Sequence, residues 1–260
     1  MAFFRYFVNR YEKENASIYK MVIVLSTVAI CIPIYARYNI KFYVGGCAKD
    51  ALFAMMERIS FFLLELICVF IFIRLSSKDS NQNIVVRYAG KRRIWTYQSI
   101  AAFIYSMECV LLIYFTAIIT GYIFFGAYDK WHLEGSCFYT MAMKRKYPLE
   151  LPLSEFEMYF LILSVKIIIM SIINNIALVL DYMLNGKRIV VLVTVVICAL
   201  DYLGVGGVRN RFDIYFYDLY SINSCIQKLV SAALITVVLF LVGLYISKYR
   251  EYYNKQEHTQ

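Results

Sequence analysis

The sequence predicts an all-α, polytopic membrane protein of six transmembrane helices, and three observations lead there. Of its 260 residues, 61% are hydrophobic and the mean hydropathy is +0.60, more apolar surface than a soluble core of that length can hide. The apolar residues gather in six runs, at 21–36, 59–73, 100–126, 158–180, 189–205 and 229–247. A span needs about 20 residues, and interfacial flanks bring the shorter runs up to that length. Lys and Arg gather in short loops beside these runs. An even number of spans puts both termini on one side, and that side with its loops carries fifteen Lys and Arg against eleven on the other. Counting acids, the balance is +9 against +2, so both termini are expected in the cytoplasm. The same distribution argues against nucleic acid as the partner of a chain with net charge +9, because no single amphipathic face collects the charge.

Residues 1–20 lack the apolar core and small-residue cleavage site of a removable signal peptide. Phe3, Phe4, Phe7 and Val8 cluster among Arg5, Arg10 and Lys13, which suggests an amphipathic helix on the inner membrane surface, an ordinary cytoplasmic tail being the alternative. Between the second and third runs lies 76–97, SSKDSNQNIVVRYAGKRRIWTY. Ser80 or Asn81 can cap a helix start there, Ile84, Val85 and Tyr88 share one face, and Gly90 supplies a stop, so a short helix is expected over 80–90. A partner could grip that face. Lys91, Arg92, Arg93 and Trp95 then combine charge with an aromatic ring, the pairing of a chain anchored at the membrane surface. The loop 127–157 is the longest outside, with Pro148 and Pro152 breaking any continuous helix. Residues 204–224 join a glycine turn to Phe212, Tyr215, Phe216, Tyr217 and Tyr220, a short helix or hairpin at the outer interface.

Catalytic chemistry finds little footing. Asn185 to Arg188 lacks the first glycine and the Ser or Thr of a phosphate loop. The two histidines, His132 and His258, sit in a loop and a tail, no metal site is expected, and no nucleophile and base stand in register. No enzyme activity and no cofactor are therefore expected on this chain. Cys31, Cys68, Cys109 and Cys198 fall within apolar runs, whereas Cys47, Cys137 and Cys225 fall in the outer loops and allow one disulfide at most, or none. Glu65, Glu108, Lys166 and Asp201 are ionisable groups inside the expected spans, where they need partners or water. Counting along the helices puts Glu108 and Lys166 near mid-membrane, so Lys166 is expected to pair with Glu108 or Glu65. Such a pair either fixes helix packing or lines a substrate path. Asn174 and Asn175 suit interhelical hydrogen bonds.

Six spans, cytoplasmic termini, an amphipathic start, a basic loop with a short helix and an interrupted segment before the last span together resemble the ABC-2 type permease subunits of bacterial ABC transporters. The local sequence IVVRYAGKRRIW at 84–95 is similar to the loop of small permeases in Gram-positive peptide-export and lantibiotic-immunity systems. The resemblance implies that 81–89 is the coupling helix, with Asn81, Ile84, Val85, Arg87 and Tyr88 docking on a separate cytoplasmic ATPase that carries ATP and Mg. It implies a homodimer or a heterodimer with a second permease in the plasma membrane, exporting an amphipathic substrate such as a peptide or antimicrobial. The alternatives are a non-transporting membrane scaffold or sensor subunit, which would use 76–97 to bind another protein, and a proton-coupled carrier using Glu65, Glu108 and Lys166. A large outer loop and the absence of a recognisable carboxyl-terminal signature depart from the broader family.

Overall fold

The structure, a computed structural model, describes residues 16–41, 46–56, 58–76, 91–184, 187–203 and 211–257. Among them are eight α-helices and one 3-10 turn, with no strand. In chain order the helices are α1 (Ala16–Lys41), α2 (Ala48–Met56), α3 (Arg58–Ser76), α4 (Lys91–Phe125), α5 (Cys137–Arg145), α6 (Glu155–Met183), α7 (Lys187–Leu203) and α8 (Ile222–Glu257), with the 3-10 turn at Phe216–Tyr220. The expected helix at 80–90, with Asn81, Ile84, Val85, Arg87 and Tyr88, and most of the amphipathic segment 1–20 lie outside the described residues.

Four helices contain stretches long and apolar enough to cross a membrane: Ser17–Arg37, Arg92–Phe125, Glu155–Met183 and Ile222–Lys248. By composition and length this is a membrane protein. Their burial sorts them. In α6, 72% of the apolar window is buried by protein, against 39% in α4, 17% in α1 and 11% in α8. So α6 is the axis of the bundle, touching α3, α4, α7 and α8, while α1 and α8 present wide apolar faces outward. A helix apolar on every side belongs in such an interior position.

Each boundary of α6 has a local cause. Ser154 caps its start, accepting from the Glu157 amide while the Glu157 side chain accepts from the Ser154 amide, and Glu155 and Glu157 place negative charge where the helix dipole is positive. Its 29 residues run past the 158–180 expected from hydropathy, because hydropathy stops at polar capping residues while backbone hydrogen bonding continues. The same holds for α4, which begins at Lys91, nine residues before its apolar run. Its 35 residues measure about 52 Å, longer than the hydrocarbon core, so part of it projects beyond.

Three connections meet at one end of the bundle. The Ala48 and Lys49 amides donate to the carbonyls of Ala127 and Tyr128 at 3.1 and 3.2 Å, tying the start of α2 to the chain leaving α4. Tyr220 donates to the Pro148 carbonyl at 3.0 Å, and its ring stacks on Tyr147 at 4.7 Å, so the chain before α8 rests on the chain before α6. The 127–157 loop, expected as a small cap broken by prolines, carries the short helix α5, whose N-cap is Ser136 and whose C-cap Lys146 adopts a left-handed φ of 56°.

The chains of α4 and α8 approach closely at Gly243. A Cβ added to Gly243 would lie 1.8 Å from the Trp95 ring, so the indole fills the space that the glycine leaves. Trp95 donates to the Phe240 carbonyl at 3.1 Å, meets Tyr182 edge-on at 5.5 Å, and is wholly buried. This revises the expectation of Trp95 as a membrane-surface anchor: a basic cluster with tryptophan reads as interfacial, but the vacancy opposite Gly243 offers the ring a better place. Arg92 and Arg93, of the same cluster, are exposed.

Candidate functional site

Lys166 lies twelve residues into α6, about 17 Å from its start, and is 1% exposed. A lone ammonium there would be untenable. Its Nζ stands 2.8 Å from both carboxylate oxygens of Asp213, itself 2% exposed, and 4.6 Å from the centre of the Phe61 ring. Asp213 was not among the expected partners. Glu108 lies instead 3.7 Å from Lys20 in a partly exposed groove between α1 and α4. Spacing along helices cannot reveal why: Asp213 belongs to the connection before α8, which was expected at the outer interface. Phe212, Asp213 and Ile214 are all buried, so this connection dips into the bundle and carries its carboxylate to the lysine. Glu65 is wholly buried on α3, one helical turn beyond Phe61, and Asp201 is 3% exposed on α7, next to Tyr202, whose ring stacks on Phe62 of α3.

A second lysine fixes the same connection. Lys228, in the second turn of α8, donates to the Asp213 carbonyl at 2.8 Å and to the Asp218 carboxylate at 2.6 Å, with the Tyr215 and Tyr217 rings 5.2 and 5.6 Å from its Nζ. Asp218 also accepts from the Tyr215 amide at 2.8 Å and from Ser224 at 3.0 Å. Both charges are therefore compensated, as buried charges must be.

Below Lys166 the polar groups continue along the seam of α4 and α6. Asn174 donates to Ser106 at 3.0 Å, Ser99 donates to Asn175 at 2.6 Å, and Asn175 donates to the Ser171 carbonyl at 2.8 Å. Tyr182 closes the series by donating to Gln98 at 3.0 Å. The helices run antiparallel, so higher numbers on α6 meet lower numbers on α4. From Lys166 to Tyr182 the series covers about 24 Å of helix. All but Tyr182 are buried, and the Asn174 carbonyl oxygen has no hydrogen-bond partner among the described residues. Asn174 and Asn175 thus do bond between helices or along their own, as expected, and the serines opposite them are the part the sequence did not single out.

At the end where the connections meet, Lys49 binds Asp129 at 2.6 Å and Glu155 at 3.3 Å, and lies over the Tyr128 and Trp131 rings. Trp131 donates to Asp50 at 2.8 Å and stacks on Phe138 at 4.6 Å. Burial works against the Lys49 charge, but Asp129 and Glu155 outweigh it and hold its pKa above that of an ordinary lysine. Burial likewise opposes the Asp129 charge, yet bonds from Lys49 and the Trp131 amide bring its pKa below the usual carboxylate range. Burial prevails at Asp50, whose carboxyl is raised despite donors from Cys47, Trp131 and Cys137, and burial pushes the Cys47 thiol up to about 12. Among the described residues, no three His, Cys, Asp or Glu side chains cluster to hold a metal ion.

Compared with known proteins, the chain matches no family model, no curated sequence and no solved structure.

Proposed function

We propose that this chain is the membrane-spanning subunit of a transporter, and that the seam between α4 and α6 belongs to the path its substrate takes. One observation carries the reading: a polar series about 24 Å long, ending in an ion pair, runs along the most buried of the four long apolar helices. Single interhelical hydrogen bonds serve packing, whereas buried polar groups in a continuous line that leads to an ion pair also suit a solute that exchanges its water for protein partners.

In this reading six helices cross the membrane, α3 and α7 joining the four longest. Their 19 and 17 residues measure about 28 and 25 Å. The three connections that meet at one end would be the outer loops, leaving both termini and the basic segment 76–97 in the cytoplasm, as the charge balance favours. Energy would come from a separate ABC-type ATPase that docks on Asn81, Ile84, Val85, Arg87 and Tyr88, with a second permease copy or sister chain completing the path. The cargo would be an amphipathic molecule such as a peptide or antimicrobial, moved outward across a bacterial plasma membrane. Support for the ATPase and the cargo comes from the resemblance of 84–95 and from the lack of a phosphate loop on this chain.

The test is ATP turnover in reconstituted vesicles containing the chain and the ATPase that purifies with it. Asn174→Leu should lower coupled turnover at least several-fold while the amount of chain in the membrane stays unchanged. Full turnover in that variant would remove the seam from the path.

A further inference from the structure

Three cysteines fall in the connections expected outside, and their sequence positions leave any pairing open. The structure separates them. Cys225 donates to the Asp218 carbonyl at 3.3 Å, at the start of α8. Cys47 and Cys137 converge elsewhere, on one carboxylate: Cys47 Sγ is 3.2 Å from Asp50 Oδ2, and the Cys137 thiol donates to the same Asp50 side chain. Both sulfurs are wholly buried, and both are free thiols in the structure.

The two segments that bring them there are fixed independently. The Cys47 amide donates to Asp50 at 3.0 Å, and the amide of the next residue, Ala48, donates to Ala127 at 3.1 Å. Ser136, immediately before Cys137, caps α5 and donates to the Trp131 carbonyl at 3.3 Å, while Trp131 itself donates to Asp50. Phe138, immediately after, stacks on Trp131. Chain segments far apart in sequence thus present two thiols to one side chain, under an aromatic cover, at the end of the bundle assigned to the oxidising side.

We propose that Cys47 and Cys137 are joined as a disulfide that clamps α2 to α5. The thiols give up two protons and two electrons to the disulfide of an extracytoplasmic thiol oxidoreductase, which leaves as a dithiol. One thiolate attacks the oxidant to form a mixed disulfide, and the second displaces it. The exchange takes place before Trp131 and Phe138 close over the pair. Afterwards Asp50 retains its bonds from Trp131 Nε1 and the Cys47 amide. A second thiol pair, Cys68 on α3 and Cys109 on α4, shares a hydrogen bond inside the bundle, out of reach of a protein oxidant. It stays reduced and serves as an internal control. The proposal rests on the outer placement of these connections, so its test reads that placement separately.

Protein taken from native membranes is denatured without reductant, alkylated with N-ethylmaleimide, digested and analysed by mass spectrometry. The expected result is a linked Cys47–Cys137 peptide with the other five of seven cysteines alkylated. Alkylation of both Cys47 and Cys137 overturns the disulfide. In parallel, Lys144→Cys, at an exposed position of α5, is treated in intact cells with a membrane-impermeant maleimide. Labelling with Cys47 and Cys137 found free refutes the disulfide and leaves the topology standing. No labelling in intact cells, with labelling once the membrane is opened, refutes the outer placement and the disulfide with it. Thermal stability adds a further check: Cys47→Ser, Cys137→Ser and the double variant should lose the same amount, because each breaks one bond. Losses that add contradict the link.

Discussion

Removing either member of the Lys166–Asp213 pair should be costly, and removing both should not. At 2.8 Å, and with an effective dielectric of about 20, the gross attraction is about 6 kcal/mol. Most of that is offset by the desolvation of two groups only 1% and 2% exposed. The net worth of the pair is therefore small, but a single truncation leaves one charge buried without its partner, at about 3–5 kcal/mol. Lys166→Met and Asp213→Leu should each lower the apparent melting temperature of the detergent-purified chain substantially. The double variant should recover most of the loss, and the exchanged pair Lys166→Asp with Asp213→Lys should recover part of it. The fraction remaining monodisperse after a temperature series is the readout. By contrast, Lys166→Glu should not be rescued by Glu108→Lys, since Glu108 lies beside Lys20. Single variants as stable as the wild type, or a double variant whose loss is the sum of the two, would refute the pairing.

Gly243→Ala should destabilise by about 1–3 kcal/mol, because its Cβ would meet the Trp95 ring at 1.8 Å and that ring is held by the Phe240 carbonyl; Trp95→Val in the same chain should remove most of the penalty, measured as melting temperature. Asn174→Leu should leave stability equal or raise it, since it deletes a buried carbonyl oxygen without a hydrogen-bond partner among the described residues, and a large loss of melting temperature would show that its bond to Ser106 matters more. The cluster around Lys49 should respond to pH with a definite sign. Asp129 is lowered in the fold, so its contribution is present above the unfolded carboxylate range and lost as pH falls through that range and below. Lys49 is raised, so its contribution holds at neutral pH and is lost only as pH rises above the ordinary lysine value. Asp50, raised by burial, works the other way and favours the fold at low pH. In a Trp95→Phe background Trp131 is the sole tryptophan, and its emission should report cap opening in acid that Asp129→Asn abolishes or shifts; an unchanged acid transition would count against the Lys49 network.

The apolar helices were legible because run length is a local property: each of the six runs overlaps a described helix, and four of these helices are long and apolar enough to cross a membrane. Their ends were not, since caps such as Ser154 and Glu157 read as polar loop until the backbone is seen to continue through them. The ionisable groups within the apolar runs were also visible, but their partners were chosen by tertiary geometry. Asp213 sits in the stretch RFDIYFYD, whose aromatic residues suit a membrane interface, and only the burial of Phe212 and Ile214 shows the chain turning inward. An aspartate isolated among aromatic residues was the one available clue. Trp95 was misplaced for a related reason: its pocket is made by Gly243, on a helix far along the chain, and a glycine in an apolar run carries no local mark of what fills its space. The 127–157 segment was legible as a loop broken by prolines, whereas the convergence of Lys49, Asp50, Asp129 and Trp131 depends on its meeting the start of α2.

The transporter reading is tested most directly by purifying the chain from its native membrane in mild detergent and measuring ATP hydrolysis in the purified complex. A phosphate-loop ATPase should accompany the wild-type chain in fixed proportion and hydrolyse ATP. Val85→Asp should lose both the ATPase and the activity while inserting normally. Wild-type chain that purifies without any ATPase, or a Val85→Asp chain that retains a fully active one, would contradict it.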